Sequence, residues 1–172
     1  LHVGATKRVR RNTMRLAVST PTTPPRRVLA SGSSSAKVAA LKDDPVRLLR
    51  ELLMEWWERF GSTLLGGTCK LMIAEAGNFP EVAAFFNEAV IGRWSTVLCG
   101  VIESGIEQGV FRPGSVETMR QLVFYPLLMQ SVWQHSIAGC VAKRPMPENY
   151  FDTYFDFIFR GLLVAPEQEI QR

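Results

Sequence analysis

The sequence has few of the residues that build metal centres and nucleophilic active sites. It contains three cysteines, Cys69, Cys99 and Cys140, and two histidines among 172 residues. The cysteines are far apart, lack the C-x-x-C spacing of metal and redox sites, and each falls within a helical pattern. We therefore expect reduced core cysteines in a cytoplasmic protein, with no bound metal.

Catalytic motifs are also missing. The sequence has no Gly-rich phosphate loop and no nucleophile elbow. Glu103 and Glu107 form a helical pair on a polar face, where solvated carboxylates are the norm. His135 and Cys140 are five residues apart and so do not share a helix face, which argues against a Cys–His nucleophile. We expect no enzymatic activity and no cofactor.

Long apolar runs are absent from the sequence as well. The longest uninterrupted one, residues 122–129, is far shorter than the roughly 20 residues that span a bilayer. The first residues carry Arg and Lys without the apolar core of a secretory signal. We expect no membrane partner.

Acidic residues are missing from residues 1–42, which contain nine of the 20 basic residues. The other 130 residues therefore hold eleven basic residues and all 16 acidic ones. Residues 1–42 are rich in Ser, Pro and Arg, lack aromatic side chains and show no sustained hydrophobic period. The composition predicts a disordered basic arm. Binding of nucleic acid through counterion release is the alternative.

Residues 78–113 form the longest periodic segment. Asn78 is a candidate cap, Pro80 suits the first turn of a helix, and Gly109 is a helix stop. The period predicts one helix of roughly 45 Å at 1.5 Å per residue. Its predicted apolar side follows the i, i+3, i+4, i+7 template, with Val82, Phe85, Phe86, Ala89, Val90, Trp94, Val97, Leu98, Val101, Ile102 and Ile106.

Four more amphipathic segments surround this one. Asp43 or Asp44 is expected to cap the first, Gly77 to end the second, and Pro126 to kink the third. The fold class is therefore all-α, a bundle of about five helices over residues 43–165, followed by a polar tail, 166–172. The four segments are residues 43–60, 61–76, 115–142 and 150–164.

The last two helices have unusually wide apolar surfaces. Residues 122–129 have no polar side, and the helix at 150–164 has one narrow polar stripe, Asp152, Asp156 and Arg160. One monomer core is not expected to cover this arc, so we predict a homodimer. The pattern leaves open which residues face the partner and which face their own core. The candidates are Leu122, Met129, Val132, Tyr154, Phe155, Ile158, Phe159 and Leu162.

Three short motifs resemble the C-terminal domain of TetR/AcrR-type transcriptional regulators. They are IAEA at residues 73–76, FPE at 79–81, and a G-x-x-x-G-x-F-R-P pattern formed by Gly105, Gly109, Phe111, Arg112 and Pro113. The resemblance covers residues 45–165. It implies a helical regulatory domain that dimerises through its last two long helices and binds a small effector, so that DNA affinity falls as in a repressor.

The resemblance also implies a three-helix DNA-binding head before this domain. No helix-turn-helix pattern occurs in residues 1–44, and the chain opens on Leu. Truncation, a mis-assigned start or a frameshift would each account for its loss. DNA is therefore an expected partner only where an intact head is present.

Large soft side chains with few polar neighbours predict an apolar cavity between helices. Core packing is the alternative for the same residues. The resemblance favours a site for a small hydrophobic or amphipathic effector, whereas a helical dimerisation or scaffold module without a ligand is the competing function. The candidate pocket residues are Phe85, Phe86, Trp94, Leu98, Phe124, Met129, Trp133 and His135.

Overall fold

The computed structural model describes residues 32–136, 138 and 146–164. These residues form six helices, without a β-strand among them, which confirms the predicted all-α class. The helices are α1 (Gly32–Ala40), α2 (Pro45–Trp56) with the π-helical turn π1 (Trp57–Gly61), α3 (Gly66–Glu75), the continuous α4 (Pro80–Phe86), π2 (Asn87–Gly92) and α5 (Arg93–Glu107), then α6 (Val116–Gln134) and α7 (Tyr150–Leu162).

Local sequence signals explain where the helices begin. The Asp44 carboxylate accepts a hydrogen bond from the Arg47 amide at 2.9 Å, and Pro45 occupies the first turn of α2. The Ser115 hydroxyl accepts from the Thr118 amide in the same way at the start of α6. Both caps satisfy amides that have no partner inside the helix. Pro126 lies inside α6, and the helix continues through it to Gln134.

The core lies between α2, α5, α6 and α7. Leu49, Leu52 and Leu53 of α2 are fully buried against Leu98 and Ile102 of α5. Burying each such side chain stabilises the fold by roughly 1.5–3 kcal/mol. The Tyr154 hydroxyl of α7 donates to the Val123 carbonyl of α6, so this buried tyrosine leaves no unpaired polar group.

The segment between α5 and α6 is fixed by a glycine contact. A β-carbon on Gly105 would lie 2.2 Å from the Phe111 ring, so only glycine allows this ring to pack there. Gly109 has φ +70°, the left-handed conformation that ends many helices. Phe111 then forms an isolated antiparallel bridge with Leu163, which ties this segment to the end of α7.

The predicted long helix exists as one continuous helix, Pro80–Glu107, but its predicted apolar side is covered along part of its length. Leu98, Val101 and Ile102 in α5 are buried, whereas Val82 and Phe85 in α4 are exposed. No residue of α4 or π2 is buried. The periodicity correctly predicted the helix, but it could not indicate that no side chain in its N-terminal half is fully buried, although α3 packs beside α4.

By length and composition this helix could also cross a membrane, and it is the one such candidate in the part of the chain that the structure describes. The core helices of soluble proteins meet the same criteria, so the observation is weak support for a membrane span. Glu88 and Arg93 lie near the middle of the helix. Charges at that depth in a bilayer are costly, by roughly 2.5–3.5 kcal/mol each on insertion scales.

Two boundaries differ from the sequence prediction. The last residues of the predicted arm form α1, because Lys37 reaches back to the Glu55 carboxylate at 3.0 Å. Tertiary contacts thus order residues that show no hydrophobic period; residues 1–31 and 166–172 lie outside the described part. Helix α3 starts at Gly66 rather than at residue 61. The Thr63 hydroxyl donates to the Phe60 carbonyl at 2.9 Å and stabilises a turn before it.

The core of one protomer does not cover all of residues 122–129, as their wide apolar surface predicted. Leu122 is 69% exposed and Met129 is 59% exposed, because none of the helices in the described part of the chain packs on that side of α6. For α7, the prediction that one core cannot cover the apolar side chains is wrong for most of them. The core covers all its large apolar residues except Phe157, which is 79% exposed.

Candidate functional site

A small cavity lies between α2, α3, the long helix and α6. Its volume is about 30 Å³, roughly that of one water molecule. Most of its wall is aromatic or aliphatic, with contributions from both π-helical turns. The lining residues are Trp56, Phe60, Cys69, Phe86, Val90, Ile91, Arg93, Trp94, Phe124 and Leu128.

Ring contacts hold the α2 side of the cavity in place. The Trp56 and Phe124 rings meet edge to face with centroids 4.8 Å apart, and the Phe60 ring lies 5.6 Å from Trp56. Trp56 and Phe60 are four residues apart, so an α-helix would place them on one face. The π1 turn begins between them, at Trp57. π-Helical turns are rare, and they occur often at functional sites.

The opposite wall comes from π2 and the first turn of α5. Val90 and Ile91 lie in π2, and Trp94 follows two residues after it ends. The Trp94 side chain packs partly buried against the core. Its indole Nε1 is buried and has no hydrogen-bond partner among the described residues. An unpaired buried donor costs roughly 1–3 kcal/mol, so this atom is a strained feature of the cavity wall.

Two other side chains bring polar atoms to the cavity. Arg93 has no ion pair within the described part of the chain and carries a permanent positive charge. Cys69 is buried, and desolvation raises the pKa of its thiol to about 11, so the thiol is neutral near pH 7. The cavity therefore offers hydrogen-bond donors and no carboxylate in its wall.

A second polar contact lies beside the cavity, where α6 meets π1. The Ser131 hydroxyl donates to the Gly61 carbonyl at 2.7 Å, and the His135 Nε2 lies 3.1 Å from the same oxygen. A β-carbon on Gly66 would lie 2.6 Å from that carbonyl and 2.5 Å from the Ser131 hydroxyl oxygen. The absence of a side chain at Gly66 thus permits the close approach of α3, π1 and α6.

The structure brings three of the predicted pocket residues together and separates the others. Phe86, Trp94 and Phe124 line the cavity. Leu98 is fully buried in the core, and His135 contacts the Gly61 carbonyl instead. The remaining three, Phe85, Met129 and Trp133, are exposed, so the expectation that Trp133 shares an interior with Trp94 is wrong.

Sequence reasoning missed the contribution of α2 to the cavity. The helical period of residues 43–60 indicates only that Trp56 and Phe60 lie on the apolar face of an amphipathic helix. Their residue types carried a usable signal, because two large aromatic residues one turn apart leave packing gaps more readily than leucines do. Of the three cysteines expected in the core, Cys69 is a buried free thiol, whereas Cys99 is only partly buried, and Cys140 lies outside the described residues.

An exposed apolar groove lies between α6 and α7 on the other side of the protomer. Its volume is about 630 Å³, and Met119, Leu122, Pro126 and Phe157 line it together with Arg112 and Arg160 at its rim. Of the predicted interface residues of α7, Ile158 and Leu162 also line the groove, but all five are buried in the core of their own protomer. Those buried residues are Tyr154, Phe155, Ile158, Phe159 and Leu162.

On α6 the interface candidates are divided. Leu122 and Met129 are exposed, while Val132 is partly buried and packs against the core. The α6 helix thus has two sides, one that lines the cavity through Phe124 and Leu128 and one that faces solvent.

Comparison of the chain with protein-family models, curated proteins and solved structures finds no match.

Proposed function

We propose that this chain is the effector-binding and dimerisation domain of a TetR-like transcriptional regulator. The observation that carries the proposal is the position of the cavity. It lies between α2, α3, the long helix and α6, which are the equivalents of the helices between which TetR-like domains are expected to bind an effector. Its wall contains Phe86, Trp94 and Phe124, which the sequence singled out. Repression of transcription by such a cytoplasmic regulator requires DNA binding, and DNA binding requires an intact helix-turn-helix head.

The effector would enter by displacing α3 and α4. Binding sites for small molecules commonly measure 300–1,000 Å³, so a cavity of about 30 Å³ must expand. Two residues of α3, Gly66 and Cys69, are buried, and none of α4 is. Elements with few buried contacts open at low free-energy cost, which makes this wall the movable one.

The dimer would form through the groove between α6 and α7. Pairing of two copies about a two-fold axis would cover Leu122, Met129 and Phe157, which are exposed in the protomer. Because α6 lines the cavity on its other side, an effector that shifts α6 would change how the two copies are placed. Effector binding and dimer geometry would then be coupled, because the effector shifts the equilibrium between two arrangements of the dimer.

The proposal is tested by thermal melts of the full chain with a panel of small aromatic and aliphatic compounds. An effector present at 100 times its Kd stabilises the folded state by about 2.7 kcal/mol. Cys69→Met, which places a larger side chain in the cavity wall, is expected to abolish this shift. Cys99→Met is the matched control, because Cys99 lies outside the cavity and should leave the shift intact. If no compound of the panel stabilises the wild type or Cys99→Met at millimolar concentration, the sensor function is contradicted.

The second candidate is a helical dimerisation module without an effector. The small size of the cavity favours it, since the groove between α6 and α7 is about 20 times larger. This function predicts a stable dimer whose melting temperature responds to protein concentration and to no small molecule. Because both candidates predict a dimer, the response of the melting temperature to small molecules is the measurement that separates them.

A further inference from the structure

The polar side chains that line the cavity are all hydrogen-bond donors. Ten residues line the cavity, and among these described residues Arg93, Trp94 and Cys69 are the ones with polar side-chain atoms. A guanidinium and an indole N–H donate and cannot accept, and a neutral thiol is a weak donor. The wall has no Asp, Glu, Asn, Gln, Ser or Thr to supply a side-chain acceptor.

Neither of the two strong donors has a hydrogen-bond or ion-pair partner among the described residues, and Arg93 is exposed to solvent. The Trp94 Nε1 atom is buried without a hydrogen-bond partner in the described part of the chain. No carboxylate lies three or four residues from Arg93 on its own helix, where the neighbours are Ala89, Val90, Thr96 and Val97. The described residues give Arg93 no ion pair from another helix either. Both donors therefore lack an acceptor of their own.

We propose that the cavity binds a small aromatic acid, with an apolar ring against Phe86 and Phe124 and a carboxylate or phenolate that accepts hydrogen bonds from Trp94 Nε1 and Arg93. This ligand class rests on the proposed function, because it identifies the effector of the same site. A carboxylate suits the pair of donors, since charge-assisted hydrogen bonds are shorter and stronger than neutral ones. The aromatic wall excludes strongly hydrated ligands such as free phosphate or sugars.

The part of the cavity wall that cannot move limits the ligand to one ring. Expansion of the wall at α3 and α4 would admit a phenyl group. These two helices have to move for this, and they contain few buried residues. A fused multi-ring compound would require displacement of Trp56 and Phe124, whose rings are in edge-to-face contact in the core. We therefore expect single-ring acids to bind best.

The test compares three probes that share one body and differ in the head group. They are phenylpropionate, phenylpropionamide and phenylpropylamine, titrated into the full chain by calorimetry. We expect phenylpropionate to bind about tenfold more tightly than the amide, the difference expected of one charge-assisted hydrogen bond. The amine should bind most weakly, because it places a cation beside Arg93.

Three variants locate the carboxylate. Arg93→Gln should weaken binding of phenylpropionate about tenfold and leave binding of the amide nearly unchanged. Trp94→Phe keeps an aromatic ring and removes the N–H, so it should weaken binding of phenylpropionate about threefold to tenfold. Arg47→Gln is the control: it removes the same charge from an exposed position at the start of α2, where Arg47 pairs with Glu51 at 2.9 Å.

The outcomes separate this ligand class from the sensor function. If the amide or the amine binds as tightly as the acid, or if Arg93→Gln and Trp94→Phe leave affinity for the acid unchanged, the acid class is wrong while an apolar effector remains. If no probe binds and no compound of the wider panel stabilises the protein, the sensor function fails together with it. A structure in which a water alone occupies the space at Trp94 Nε1 in the presence of millimolar phenylpropionate also contradicts the ligand class.

Discussion

Ser131 of α6 donates a hydrogen bond of 2.7 Å to the carbonyl of Gly61, although 70 residues separate them in the sequence. Gly61 ends π1, the turn whose Phe60 lines the cavity. The same carbonyl is contacted by His135, one turn further along α6. This shared acceptor connects the cavity to the helix whose outer side is exposed, so it is a physical link between the two proposed functional surfaces.

Ser131→Ala is expected to destabilise the fold by about 1–3 kcal/mol, because a buried carbonyl loses a hydrogen-bond donor. His135→Ala should cost less, since that side chain is half-buried. The double variant should cost more than the two single changes together, because each donor compensates for loss of the other. Urea unfolding of the four proteins measures this coupling. Ser95→Ala on α5 serves as the control, and additive effects would show that the two donors act independently.

Gly66→Ala is expected to destabilise the fold by about 1–3 kcal/mol, the usual range for an over-packed site. Its β-carbon would lie 2.6 Å from the Gly61 carbonyl, a backbone atom that cannot move alone. Gly67→Ala is the matched control, since its β-carbon would meet nothing closer than 3.9 Å. That change should be neutral or stabilising by up to about 1 kcal/mol through helix propensity. Equal melting temperatures for the two variants would contradict the close approach seen here.

Leu122→Glu combined with Phe157→Glu is expected to give a monomer without loss of fold stability, because both side chains are exposed in the protomer. The wild type should be a dimer by light scattering at micromolar concentration. Ile73→Glu, which adds the same charge at an exposed apolar position on α3, should leave the dimer intact. A monodisperse wild-type monomer would refute the groove as an interface. Phe155→Asp cannot test it, because that ring is buried in the core and the charge would unfold the protomer.

Glu117→Gln is expected to flatten the acid dependence of stability. Hydrogen bonds from Arg120 and then from Gln121 lower the pKa of the Glu117 carboxyl from 4.5 to about 2. The ionised carboxylate therefore stabilises the folded state above pH 4.5, and this stabilisation is lost as the pH falls towards 2. The side chain is 58% exposed, so solvent screening keeps the effect small.

The measurement for Glu117 is the urea midpoint between pH 5 and pH 2, in the wild type and in Glu117→Gln. Glu103→Gln, which removes an exposed carboxylate from α5, is the control. At neutral pH Glu117→Gln should also lower stability, because Arg120 is buried and would lose its ion-pair partner. Parallel midpoint curves for the wild type and Glu117→Gln would show that the pair does not contribute.

The sequence alone determined the helices and most of their ends, because the responsible interactions are local. Asp44 before Pro45 and Ser115 before α6 supply caps to amides two or three residues away. Gly109 supplies the left-handed residue that ends α5. The 3.6-residue period of apolar side chains shows which face of each helix is to be buried. Both kinds of signal act within a few turns of one helix, and both could be found without knowing its neighbours.

Tertiary structure decided which apolar faces are covered and where the cavity lies. Phe85 and Phe155 follow the same kind of helical pattern, yet Phe85 is exposed and Phe155 is buried, because core residues of other helices surround Phe155 and leave Phe85 uncovered. Trp94 Nε1 is buried without a hydrogen-bond partner among the described residues, and Trp94 lines the cavity together with Trp56 and Phe124 from other helices. The burial of a side chain and the pairing of its polar atoms depend on residues that are distant in the sequence. The pattern within one helix cannot predict those contacts.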